Sequence, residues 1–257
     1  MDELKRPPAL ADASTSASEA SPATLCIDIG GTGLKTLVIG ADRKPRGKRL
    51  RVDTPRPATP KALVKAIVGM AGKQAAYDRV SVGFPGVVRQ GVVETAFNLH
   101  PSWIGVDVDA LLSRELGKTA RAANDADVQG LGAVRGKGVE LVITLGTGFG
   151  SSLFVDGRLV PNVQLAHHTG WNKRTYEDEL GNEALKRVGK KRWNKRVRKA
   201  IASLAELFNY DRLYIGGGNA EKIRIELPGN VRTVSNVEGL LGGLALWNGE
   251  ENCYGAR

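Results

Sequence analysis

Two stretches of the chain repeat one pattern, and that repetition limits the folds open to it. "LCIDIGGTGLKTLVIG" starts at Leu25 and "LVITLGTGFGSSLFVDGRLV" at Leu141; each is an apolar run, a turn of glycines with a threonine, and a second apolar run. A dinucleotide-binding fingerprint needs a helix after its glycines, and a P-loop needs a Gly-Lys-Ser/Thr ending as well. Here Leu37, Val38 and Ile39 continue as a strand, so both readings fail and each stretch predicts a β-hairpin. Glycine lets a backbone approach a ligand closely, and such turns offer N–H groups and a hydroxyl to phosphate oxygens. Two of them in separate halves predict a duplicated lobe with phosphate between the copies.

A third cluster, Gly216-Gly217-Gly218, follows "RLYI" and predicts a helix beginning at Asn219. A helix N-terminus behind a strand suits an anionic group, although an ordinary tight βα connection reads the same way.

The chain has 257 residues, enough for two lobes, with 42% hydrophobic and 25% charged residues, as in soluble globular proteins. No apolar run approaches the roughly 20 residues of a membrane-spanning helix. Residues 1–23 are rich in Ala, Ser and Pro, without the apolar core of a secretory signal, and are expected to be a disordered tail. Cys26 lies in a strand pattern, and with Cys253 it builds neither a disulfide framework nor a cysteine zinc site. A cytoplasmic location is expected. Much of the net charge of +10 sits in Lys186–Lys199, which holds nine basic residues and no acid. Such a block attracts polyanions, or is simply a solvated helix face. Trp193, Val197, Ile201 and Leu204 fall at helical spacing and predict one apolar stripe beneath it.

The order of motifs resembles the ROK sugar kinases, within the two-lobed actin-like ATPase (ribonuclease H-like) α/β fold. "DIGGTGLK", "GFPGVV", "NDAD", "LGTGFGS" and "IGGGNA" follow one another between Leu25 and Trp247. "VPNVQLAHH", "TYEDELG", "KRVGKKRWNKRV" and "VSNVEGLLGGLALW" are similar to the polyphosphate-using glucokinases of that family. The resemblance implies an N-terminal lobe over 24–123 and a C-terminal lobe over 124–257, with the last helix returning to the first lobe. It implies a central cleft in which the terminal phosphoryl of polyphosphate, or of ATP, passes to the C6 hydroxyl of glucose with Mg²⁺, and it favours a homodimer. "GLLGGLALW" reads either as a buried helix or as a dimer surface. The cysteine-rich zinc motif of many ROK proteins is absent between His168 and Glu177, so no structural zinc is expected.

Phosphoryl transfer asks a protein for positioning, charge neutralisation and a proton acceptor. "ND" matches the family's catalytic pair, which makes Asp125 the expected base; the bare sequence allows Asn124 or Asp125 to be merely a helix cap. Asp28 is expected to help place Mg²⁺, or else to hold its own turn. The phosphate cradle is expected from Gly30, Gly31, Thr32, Gly33, Gly146, Thr147 and Gly148, with Gly216, Gly217 and Gly218 beside it; Lys35 adds charge if its strand turns it inward. For sugar the resemblance implies Asn98, Asn124, Asp125, His167 and Glu177. Gln164 stands where the family's Glu-x-Gly-His pattern has glutamate, which removes a charge-assisted bond to a hydroxyl. Lys190, Lys191, Arg192, Lys195 and Arg196 are expected to hold a polyphosphate chain if their helix borders the cleft. Two other readings fit less well: a ROK repressor, for which only about 23 residues precede Leu25 where a DNA-binding module would be needed, and a nucleic-acid binder, which leaves both hairpins unexplained. No DNA or membrane partner is therefore expected.

Overall fold

The computed structural model describes residues 22–171 and 173–248. Cys253 and most of the expected N-terminal tail lie outside the described residues. The chain builds two five-stranded sheets of matching topology. In the first, β1 (Thr24–Ile29), β2 (Gly33–Ile39) and β3 (Leu50–Asp53) run antiparallel in turn, while β4 (Arg79–Phe84) and β7 (Ala120–Asn124) join parallel on the other side of β1. A small hairpin of β5 (Val88–Arg89) and β6 (Val92–Val93) lies between β4 and β7 in the chain. In the second sheet β8 (Val139–Leu145), β9 (Phe149–Val155) and β10 (Arg158–Val160) repeat the antiparallel run, and β11 (Arg212–Gly216) and β12 (Val231–Thr233) the parallel one. The two glycine turns therefore occupy equivalent positions, each joining the first strand of a sheet to the second.

Helices cover the outer faces. The first, α1 (Pro60–Ala71), begins where the Thr59 hydroxyl accepts from Ala62 N, with Pro60 in the first turn where its missing N–H costs nothing. Leu63, Ile67 and Met70 pack with Val108 and Leu112 of α2 (Val108–Leu116) into the first core. On the second lobe α4 (Tyr176–Leu180) is followed by α5 (Asn182–Phe208), which is interrupted at Gly189, where φ is +73°. Trp193, Val197, Ile201 and Leu204 are all buried, and the Trp193 indole donates to Leu180 O at 2.9 Å.

Two helices connect the lobes by crossing between them. One is α3 (Asp125–Ala133), which leaves the first sheet directly after β7 and packs Ala133 against Val142, Phe154 and Tyr214 of the second. The other is α6 (Asn236–Ala245), which leaves the second sheet after β12 and sets Leu240 and Leu244 on Cys26, Leu37 and Ile39 of the first. "GLLGGLALW" is thus a buried helix of this chain. Its end is pinned by the Ser81 hydroxyl on Gly243 O at 2.5 Å and by Trp247, whose ring lies between the guanidiniums of Arg79 and Arg121. Among the described residues no helix is long and apolar enough to cross a membrane.

Candidate active site

The lobes border an open cleft lined by both glycine turns. Strand register explains which side chains reach it. Arg51 pairs with Lys35, Lys35 with Asp28, and Asp28 with Gly83, so these four positions form one row across β3, β2, β1 and β4. Paired residues on neighbouring strands project from the same face, about 4.8 Å apart per strand step. The row carries two cations, then a carboxylate, then a glycine. At Gly83 the missing side chain makes room for the start of α3: a Cβ there would stand 3.3 Å from Asp125 Cα. Asp125 consequently sits at the end of the row. Lys35 turns inward and pairs with Asp28 at 2.6 Å.

Asn124 and Asp125 divide the tasks that the sequence left between them. Asn124 is buried and caps α3, its Oδ1 accepting from Ala126 N at 3.0 Å and Asp127 N at 3.3 Å, while its amide donates to Gly86 O at 3.0 Å. Asp125 also accepts from Ala126 N, at 2.8 Å through Oδ1, and lines the cleft. Burial pushes its carboxyl up to about 7; the Asp28 charge adds to this and the N–H of Ala126 opposes it, with smaller effects from Asp127 upward and Lys35 downward. A carboxyl near 7 suits a general base at neutral pH. Because the Asp28 charge raises that value, Asp28→Asn is expected to move the acidic limb of the kcat/KM profile to lower pH. Lys35→Met is expected to move it higher, and titrating both variants between pH 5 and 8.5 checks the pair of signs.

The turns themselves need one correction. The N–H of Gly30 is donated to Gly33 O at 3.0 Å, and that of Gly146 to Gly148 O at 3.1 Å, so these two groups hold the turns and are not available to phosphate. Gly31, Thr32, Thr147 and Gly148 remain as backbone donors. The Thr32 and Thr147 hydroxyls lie 3.2 Å apart, so the two turns meet at their tips. The Thr54 hydroxyl on Gly30 O at 2.6 Å and the Arg56 guanidinium on Gly31 O at 2.7 Å brace the first turn from behind.

At the third cluster the expected helix does not form. A 3₁₀ turn of Ala220–Lys222 follows instead, because Asn219 is drawn inward, its N–H on Leu145 O at 2.8 Å and its amide on Gly146 O at 3.1 Å. Gly217 and Gly218 line the cleft, whereas Gly216 ends β11 in register with Thr144 and does not. Gly217 has φ +84° with no room for a side chain against Leu145.

The residues expected at sugar converge on one end. Asn98 packs on Gly31, its Cβ 3.1 Å from where a glycine Cβ would stand, and Glu177 Oε2 accepts from Phe149 N at 3.1 Å. His167 is exposed on a loop held to β9 by Ser151, which donates to Val163 O and accepts from Leu165 N. Its ring lies 4.3 Å from that of Phe97, an exposed aromatic on the facing lobe. Gln164 also lines the cleft. Phe97 and Arg51 were not expected from the sequence; an aromatic beside Asn98 and a basic residue in an edge strand are the signals that were available.

The basic helix is placed elsewhere. None of Lys190, Lys191, Arg192, Lys195 or Arg196 lines the cleft. Arg196 is engaged by the buried Glu179 at 3.0 Å, and α5 meets the site only at its start, where Asn182 N donates to Thr147 O at 3.3 Å.

The chain has relatives among known proteins. The chain is 33% identical over 205 residues to the polyphosphate glucokinase of Mycobacterium tuberculosis, covering 76% of this chain and 77% of that protein. The inorganic polyphosphate/ATP-glucomannokinase of Arthrobacter sp. strain KM superposes with a TM-score of 0.80 at 32% identity, covering 88% of this chain and all of that one. A ROK glucokinase from Streptomyces griseus, solved with glucose and AMPPNP, shares the fold at 20% identity with a TM-score of 0.70, over 87% of this chain and 98% of that one. The ROK family model matches residues 24–182, so the chain belongs to the ROK family.

Proposed function

We propose that the protein is a polyphosphate glucokinase that moves the terminal phosphoryl of inorganic polyphosphate to the C6 hydroxyl of glucose. The observation that carries this reading is the charged row. Cations stand at one end, beside the glycine turn, and a carboxyl poised near 7 stands at the other. A phosphoryl group placed over the row has its charge met by Lys35 and Arg51 while Asp125 takes the proton of the attacking hydroxyl. Thr32 and Thr147 hold the transferring group between the lobes. Asn98, His167 and Glu177 orient the hexose, and Asn124 acts by fixing the start of α3 and hence the Asp125 carboxylate.

A divalent cation belongs to this chemistry. Mg²⁺ takes one or two carboxylates together with substrate phosphate oxygens, and Asp28, in the row beside Asp125, is a carboxylate of the kind it needs. When bound it supplies charge neutralisation on the donor phosphates.

ATP is the second donor to consider, since the Arthrobacter relative is named for both. Supplying glucose with each donor separately tests the proposal: glucose 6-phosphate is expected from polyphosphate without nucleotide, and product from ATP with none from polyphosphate would reject it. The acceptor end has its own prediction. Gln164→Glu is expected to lower the glucose KM about 3- to 10-fold, because a charge-assisted bond replaces a neutral one of roughly half its strength; a panel of glucose, mannose and N-acetylmannosamine reads the change.

A further inference from the structure

The molecule carries a second basic segment, of which Arg51 lines the cleft and Arg56 braces the first glycine turn. Between Arg43 and Arg56 lie seven basic residues and a single acid, Asp53. Resting on the polyphosphate reading, we propose that the donor chain behind the transferable phosphoryl runs out of the cleft across the edge strand β3, over Arg51 and then Arg49, and not along the basic helix α5.

Position argues first. Arg51 lines the cleft, and its guanidinium lies against Gly33, the last glycine of the first turn, with Nη2 3.0 Å from where a Cβ would stand. It is the outer end of the row that leads through Lys35 to Asp28. Arg49 lies two residues before Arg51, just ahead of β3, and is exposed, so it extends the basic surface beyond the strand. Among the described residues no strand pairs beyond β3, so its outer edge is open to an extended polyanion.

Availability argues second. Arg51 is paired only with Asp53, at 3.1 Å, and the two side chains are 53% and 84% exposed. Ion pairs this exposed contribute little and yield readily to a phosphate, which a guanidinium meets with two parallel bonds. Some cations of α5 are committed differently: Arg187 donates to Asp178 O, Arg196 serves the buried Glu179, and Lys199 lies over the Trp171 ring. Those three contacts fasten the helix to its own lobe, whereas Lys186 makes an exposed pair with Glu183 of the same helix.

Two charge-matched double variants of the full chain test this. Arg49→Gln with Arg51→Gln is compared with Lys190→Gln plus Lys191→Gln, measuring the KM of long-chain polyphosphate and of glucose between about 50 and 200 mM salt, with thermal melts confirming folding. The β3 pair is expected to raise the polyphosphate KM at least tenfold at low salt. It is also expected to flatten the log KM against log salt slope by about 1.4, at ~0.7 per phosphate contact on a single strand. The glucose KM should stay within twofold, and the α5 pair should leave all of these within twofold. A larger effect from the α5 pair, or an unchanged slope in the β3 pair, overturns the β3 track while leaving the polyphosphate reading in place. Failure of the wild-type protein to use polyphosphate at any salt overturns both, and is visible before any variant is made. Arg49→Gln alone adds a finer arm: long chains should lose affinity while ATP does not, and equal loss with both donors would contradict a track that extends past Arg51.

Discussion

Asp125→Asn is expected to lower kcat by about 10³-fold while changing glucose affinity by no more than a few-fold. A positioned general base contributes roughly 10² to 10⁴ in rate, and asparagine keeps the size and the hydrogen-bonding oxygen of the aspartate but cannot take the proton. The same substitution should stabilise the protein at alkaline pH. The folded-state value of about 7 lies above the ~3.9 of an exposed aspartate, so the group favours the fold fully only below the lower value. That contribution is lost progressively as pH rises to 7, where the buried carboxyl ionises. Asparagine never ionises. The variant is therefore expected to melt above the wild type at pH 8, with the gap shrinking toward pH 5. A variant that turns over normally would remove Asp125 from the chemistry; one that melts below the wild type at pH 8 would contradict the strained, poorly solvated carboxylate.

The second large effect is expected far from substrate, where α3 and α6 cross. A methyl at Gly242 would overlap the Val128 carbonyl oxygen and stand 2.7 Å from Gly132 N, backbone groups that cannot swing aside. Forcing atoms into a packed site of this kind costs typically 1–3 kcal/mol. Gly242→Ala is thus expected to lower Tm by roughly 2–12 °C, at about 2–4 °C per kcal/mol for a chain of this size. Since α3 carries Asp125, activity should fall in the folded fraction as well, with kcat reduced more than the glucose KM is raised. Gly69 provides the contrast: it is exposed in α1 with nothing within 4 Å of a Cβ. Gly69→Ala should be neutral or stabilising by up to ~1 kcal/mol. Equal melts for the two alanine variants would mean that the crossing is looser than its geometry implies.

How much of this was legible beforehand depends on how local the determining chemistry is. The hairpins were readable because a glycine turn followed by a strand is settled by adjacent residues, and their repetition predicted a duplicated lobe, which the structure builds as two sheets of matching topology. The apolar stripe of α5 was readable for the same reason, through a spacing within one helix. Which neighbour the opposite face of that helix meets is a long-range fact, and whether its cations border the cleft could not be read from that spacing. The row from Arg51 to Asp125 was hidden entirely: it exists only once β3 takes its register on β2 and β4 lies beside β1. The helix expected after Gly218 failed because Asn219 bonds the second glycine turn, about 70 residues earlier in the chain. The Asn124-Asp125 pair lay between these cases. Either residue had the chemistry of a cap, and only the packing of Gly86 against Asn124 shows which of them is spent on it.

The most direct measurement is the pH dependence of glucose 6-phosphate formation with polyphosphate as the only phosphoryl donor. The account predicts steady turnover without nucleotide and a kcat/KM for glucose that falls tenfold per pH unit below an apparent pKa near 7. Absence of product from polyphosphate, or a profile that stays flat from pH 8 down to pH 5, would contradict it.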